Sequence, residues 1–142
     1  MNAKEYLSQA RLLDRQIDSK IQQIEELNRL TTNCTATLTG IPGAPRRGGS
    51  VMADAVDRIV DLEREINRDI DRLVDLKREI MAAIRTVDNG KYQMVLEKRY
   101  LCYRTWEQIA ADTGYNVRHL YRIHGEALRH HRIMPPQIIH ER

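Results

Sequence analysis

Arg118 and Arg122 stand one helical turn apart in Asn116-Val-Arg-His-Leu-Tyr-Arg-Ile123, with His119 and Tyr121 beside them. A guanidinium is a permanently charged planar fork. It suits the edge of a guanine or a phosphate, and it is a poor acid or base at neutral pH. The chemistry this string offers is therefore recognition. The rest of the chain offers no competing catalytic set. His119, His124, His130, His131 and His140 include no pair at the i, i+4 spacing that puts two metal ligands on one helix face. They read as protonatable surface histidines. Cys34 and Cys102 form no paired-ligand motif. The carboxylates alternate with cations, as in Asp61-Leu-Glu-Arg-Glu, which is the pattern of a solvated helix face. No enzyme activity, cofactor or metal is expected.

The two arginines need a helix to carry them and a support to hold that helix. Thr105 with Gln108 makes a capping-box pattern for a helix that contains Ile109 and the small Ala110. Gly114 supplies a left-handed turn residue, and Asn116 caps the next helix. Leu120, Ile123, Ala127 and Leu128 repeat at helical spacing and form that helix's buried face. Arg118, His119, Tyr121 and Arg122 are left near its outward N-terminal end. A short helix, a tight turn and a cationic second helix form the pattern of a helix-turn-helix reader of double-stranded DNA. Its second helix is expected to read bases through Arg118, His119, Tyr121 and Arg122. Lys98, Arg99, Arg104, Thr105, Arg129, His130 and Arg132 are candidate phosphate contacts. The charge distribution fits: residues 91–142 hold nine Lys/Arg and five Asp/Glu, whereas residues 1–90 hold fourteen and fifteen. Lone Trp106 reads as a packing residue at the start of its helix.

A further helix precedes the motif, with Met94, Val95, Leu96, Tyr100 and Leu101 on an inward stripe. Val95-Leu-Glu-Lys-Arg-Tyr100, Thr105-Trp-Glu-Gln-Ile-Ala and Ile123-His-Gly-Glu-Ala-Leu128 resemble the promoter-reading C-terminal region four of sigma factors. The resemblance covers about residues 91–132. It implies that Arg118, His119, Tyr121 and Arg122 lie where sigma factors touch promoter bases. Val117 and Tyr121 replace polar or cationic residues usual in that family, which implies a different site.

Residues 3–31 and 51–87 lack proline and glycine and are dense in charged residues, Leu and Ile. They predict two helices of roughly 43 and 55 Å, too long for an ordinary globular core. Asn2 with Glu5 caps the first and Ser50 the second. In the second helix Ile59, Ile66, Leu73 and Ile80 recur every seven residues. Val56, Ile70 and Ile84 take the neighbouring heptad position, interrupted by Glu63 and Lys77. Val60, Val74 and Met81 widen the stripe on one side, and Leu62 and Leu76 on the other. The first helix carries Leu13, Ile17, Ile24 and Leu27, with Lys20 inside the seam.

The expected fold is all-α: a long antiparallel helical hairpin, or coiled-coil arm, over residues 1–88, then a helix-turn-helix domain over 89–133 and a tail over 134–142. The hairpin tip, residues 32–50, holds four glycines and two prolines and reads as a connector. It lacks the preceding strand and Gly-Lys-Ser/Thr ending of a phosphate loop. The wide stripe predicts a homodimer or homotetramer through Ile59, Ile66, Ile70, Leu73, Ile80 and Ile84. No apolar run reaches transmembrane length and no signal-peptide core opens the chain, so a cytoplasmic protein is expected.

The whole layout also resembles small phage-encoded proteins of Gram-positive bacteria, the ArpU- and RinA-type late transcription regulators. Asp61-Leu-Glu-Arg-Glu-Ile-Asn-Arg, Arg99-Tyr-Leu, Trp106-Glu-Gln-Ile-Ala and His124-Gly-Glu-Ala-Leu128 carry that resemblance. It implies a prophage late-gene regulator acting with host RNA polymerase. Two alternatives share the same parts. One is a DNA-packaging protein like a phage small terminase subunit. The other is a sigma-like interaction module that does not touch DNA.

Overall fold

The computed structural model describes residues 2–38 and 47–130, with side chains described over 2–33 and 51–129. The fold is all-α, and no strand occurs among the described residues. Five helices follow in order: α1 Ala3–Leu38, α2 Arg47–Arg85, α3 Gly90–Leu96, α4 Trp106–Thr113 and α5 Val117–His130.

Local chemistry sets these ends. Asn2 Oδ1 accepts from the Glu5 amide at 2.8 Å, and Glu5 Oε2 accepts from the Asn2 amide at 3.1 Å, which starts α1. Both long helices reach further into the connector than composition suggests. Thr31 and Thr32 donate their hydroxyls to the carbonyl of Asn28, so these side chains turn back onto their own helix. α1 then continues to Leu38, and α2 starts at Arg47, before Ser50, which lies inside the helix instead of capping it. The connecting residues 39–46 lie outside the described residues.

The chain forms two compact units, residues 14–72 and residues 1–13 with 73–142. In the first unit Ile17, Ala55, Leu62 and Ile66 are buried. Lys20 answers the polar break in the seam. Its ammonium pairs with Asp69, which is buried, and lies 3.6 Å from Glu65.

In the second unit the first turns of α1 meet the last turns of α2, as a hairpin requires. Tyr6, Leu7 and Ala10 share a core with Ile80, Ile84 and Val87, and Leu96, Tyr100 and Ala127 complete it. A second cluster joins Val95, Ile109, Leu120 and Ile123. Each Val, Leu or Ile among them, withdrawn fully from water, contributes about 1.5–3 kcal/mol.

The seam of α2 differs in one respect from its heptad reading. Ile59, Ile66, Leu73 and Ile80 are buried or half-buried, as the seven-residue repeat predicts. The position beside them is filled by Leu62, Asp69 and Leu76, while Val56 and Ile70 are exposed. One partner helix covers one side of a wide stripe, and the other side is left over. Ile66, Ile80 and Ile84 are therefore buried within a single chain. The exposed large apolar residues of α2, among the described side chains, are Val51, Val56, Val60, Ile70, Val74 and Met81.

The chain leaves α2 through a short turn in which the Val87 amide donates to the Ile84 carbonyl. Asn89 caps α3 through the amides of Lys91 and Tyr92. Gln93 Nε2 reaches back to the carbonyl of Val87 at 2.6 Å. α3 passes into a π-helical turn over Glu97–Leu101, where the Cys102 amide donates to the Glu97 carbonyl. The wider turn keeps both Leu96 and Tyr100 inside.

Candidate nucleic-acid interface

α4 and α5 are joined by a turn that the sequence specifies closely. Thr105 Oγ1 accepts from the Gln108 amide at 3.2 Å, and Gln108 Oε1 accepts from the Thr105 amide at 3.0 Å. This is a complete capping box. Gly114 takes φ of 78°, a left-handed conformation that costs other L-residues about 1–2 kcal/mol. Asn116 Oδ1 accepts from the His119 amide at 2.7 Å and starts α5. Ile109, Leu120 and Ile123 close the angle between the two helices with no exposure above 2%.

The outward side of α5 carries Arg118, Tyr121 and Arg122, all exposed. Neither arginine has an ion pair among the described residues. Glu126, one turn beyond Arg122, is held elsewhere: it accepts the Tyr92 hydroxyl at 2.7 Å. That bond, with burial and the nearby carboxylate charge, raises the Tyr92 pKa. His119 is half-buried with its ring edge-on to Tyr115 at 5.2 Å, and Lys91 lies 5.2 Å from the other ring of that pair. His119 is thus less free than its arginine neighbours.

The phosphate candidates divide. Arg104 and Arg129 are exposed. Arg129 Nε donates to the Gly125 carbonyl at 3.3 Å, along its own helix. Lys98 lies 3.7 Å from Asp112, which offsets its charge. Thr105 uses its oxygen on Gln108. Arg99 donates to the Arg104 carbonyl at 3.1 Å and stacks its guanidinium 4.8 Å from the Trp106 ring. The His130 side chain, Arg132 and the tail lie outside the described residues.

Sequence reading missed a second feature. Trp106 is a packing residue, as its position predicts, but it packs as the wall of a cavity of about 170 Å³. Tyr121 and His124 stand edge-on to it at 5.2 and 4.9 Å. His124 is not a surface histidine. Its Nε2 lies 2.6 Å from the Tyr100 hydroxyl, and the two rings stack. Burial, with the nearby charges of Lys4 and Arg99, lowers the His124 pKa to about 4. Burial pushes Tyr100 up to about 12, with a small opposing effect from Arg99. The ring is therefore neutral at pH 7, and Tyr100 keeps its proton. The remaining cations of the cavity wall, Lys4 and Arg11, come from α1. No local pattern announces them, because they lie far before the motif in sequence.

Among the described residues no group of His, Cys, Asp or Glu could hold a metal ion, and no helix is long and apolar enough to cross a membrane. No protein-family model, curated protein or solved structure matches the chain.

Proposed function

We propose that this protein is a sequence-specific regulator of transcription that binds double-stranded DNA through α5. One observation carries the reading. Two exposed arginines one turn apart, without acidic partners among the described residues, project from a helix whose opposite face is locked to α4 and α3. A reading helix needs that combination: side chains free to reach base edges, on a support rigid enough to fix their register. The excess of cations over residues 91–142 supports the same reading, since phosphate contacts supply most of the affinity for a duplex. The prophage setting, the late-gene role and the contact with RNA polymerase rest on the resemblance to ArpU- and RinA-type regulators.

A second copy of the chain is the natural partner of α2. Val56, Val60, Ile70, Val74 and Met81 fall on alternating four- and three-residue spacings with Glu63, Asn67 and Lys77 among them. That is a second heptad stripe flanking the seam. In a parallel pair Glu63 and Lys77 would each face their own copy. An antiparallel pair brings Glu63 near the partner's Lys77 instead. Two copies would present two reading helices to paired half-sites.

Selection of bound fragments from the source genome at moderate salt tests the function. Enrichment of a promoter-proximal site is the expected result. Enrichment beside packaging genes, away from promoters, would favour the terminase-like role. Failure to retain any duplex, even at low salt, would favour the protein-interaction module.

A further inference from the structure

The cavity beside α5 joins cations from two distant parts of the chain. Lys4 and Arg11 come from the first turns of α1, and Arg99 comes from the π-helical turn after α3. Among the described residues no Asp or Glu lines it. The nearest acid in sequence, Glu5, is turned back onto the Asn2 amide. Neither Lys4 nor Arg11 has an ion pair among the described residues. Three positive groups thus line one cavity with no counter-charge among the described residues, next to the flat walls of Trp106 and Tyr121. His124 also lines the cavity; burial, and then the charges of Lys4 and Arg99, lower its pKa. Like charges gathered on one small cavity repel one another, and a bound anion relieves that cost.

The volume of about 170 Å³ corresponds to several water molecules, at roughly 30 Å³ each in the liquid, and accommodates a tetrahedral oxyanion. Two guanidiniums with an ammonium match the charge of a phosphate and supply N–H donors for its oxygens. Tyr121, part of the wall, lies between Arg118 and Arg122 on α5. A duplex seated on those arginines would bring its own backbone to the cavity mouth.

We propose that this cavity is a phosphate site and that it receives a backbone phosphate of the bound duplex. The inference rests on the DNA-reading assignment of α5. It adds Lys4 and Arg11 of α1 to the binding surface. The start of the long helix then acts as a phosphate clamp beside the reading helix.

The full-length protein carries its own probe, because Trp106 is its single tryptophan. The test compares wild type with Lys4→Gln/Arg11→Gln, and with Arg15→Gln/Arg29→Gln as a control of equal charge on the same helix. Each protein is titrated with a random-sequence duplex across salt concentrations. In a separate arm each is titrated with inorganic phosphate at constant ionic strength. Circular dichroism checks that the variants keep their helix content.

For the Lys4/Arg11 variant we expect about a tenfold loss of duplex affinity at moderate salt and a salt slope shallower by about one, with the control near wild type. Trp106 emission should respond to the duplex in wild type and not in the Lys4/Arg11 variant. A phosphate response that needs Lys4 and Arg11, in a protein that binds no duplex, would keep the phosphate site and remove the DNA source. Duplex binding with the same affinity and slope in all three proteins, and no Trp106 response to phosphate, would overturn the site while leaving the reading of α5 intact.

Discussion

Burial holds His124 neutral at pH 7, so a residue type that usually senses pH serves here as packing. The folded ring takes its proton near pH 4, and the unfolded ring near 6.5. Between those values the unfolded chain binds more protons. Stability is therefore full above about pH 6.5 and falls as pH drops toward 4. The expected loss between pH 7 and pH 5 is on the order of 1–2 kcal/mol, reduced from the full linkage value because the ring is partly open to solvent. Urea unfolding of wild type and His124→Gln at both pH values measures it. The variant should lose most of this pH dependence, and parallel curves would refute the buried-histidine account. Lys98 and Arg99 show the same dependence on surroundings. They are adjacent in sequence, yet one is paired with Asp112 and the other stacks on Trp106. Nothing in their residue types distinguishes them.

At the scale of elements, what sequence makes legible is whatever local rules govern. The caps at Asn2, Thr105 and Asn116 and the turn at Gly114 depend on side chains within a few residues, and each lies where its spacing predicts. Helix ends near the connector were less legible, because threonines that bond to their own helix leave no mark in composition. The heptad of α2 gave the Ile59–Ile80 row but not its neighbour. A stripe wide enough for two partners cannot say which side the first one takes. Lys4 and Arg11 were illegible for a related reason, since only the tertiary fold brings them to Trp106. The Lys20–Asp69 pair is an element-scale device that holds α1 and α2 in one register. Lys20→Met alone leaves Asp69 buried without its cation and should cost about 1–3 kcal/mol. Lys20→Met with Asp69→Leu should recover most of that loss in denaturant titrations. If the double variant were as unstable as the sum of two single losses, the pair would not be acting as a unit.

On the scale of the whole molecule, the proposed function assigns different work to two surfaces. The basic C-terminal part is suited to a polyanion, and the outer stripe of α2 to a second copy. Single-sided coverage of α2 explains why apolar residues remain outside at all. Ile70→Lys with Val74→Glu replaces two exposed side chains and should not disturb the core. Sedimentation equilibrium should show a dimer or tetramer in wild type and a monomer in the variant, with helix content unchanged. A wild-type chain that is monomeric at every concentration would contradict the stripe's assignment, though not that of α5.

The reading of bases by α5 is most directly tested on a fragment selected from the source genome. Its affinity is measured against a scrambled duplex at fixed salt, for wild type, Arg118→Ala and Arg122→Ala. The account predicts that each substitution costs roughly 1–3 kcal/mol on the selected fragment and much less on the scrambled one, so that the specificity ratio collapses. Undiminished discrimination in both variants would contradict it, and the base-reading surface would have to lie elsewhere on the chain.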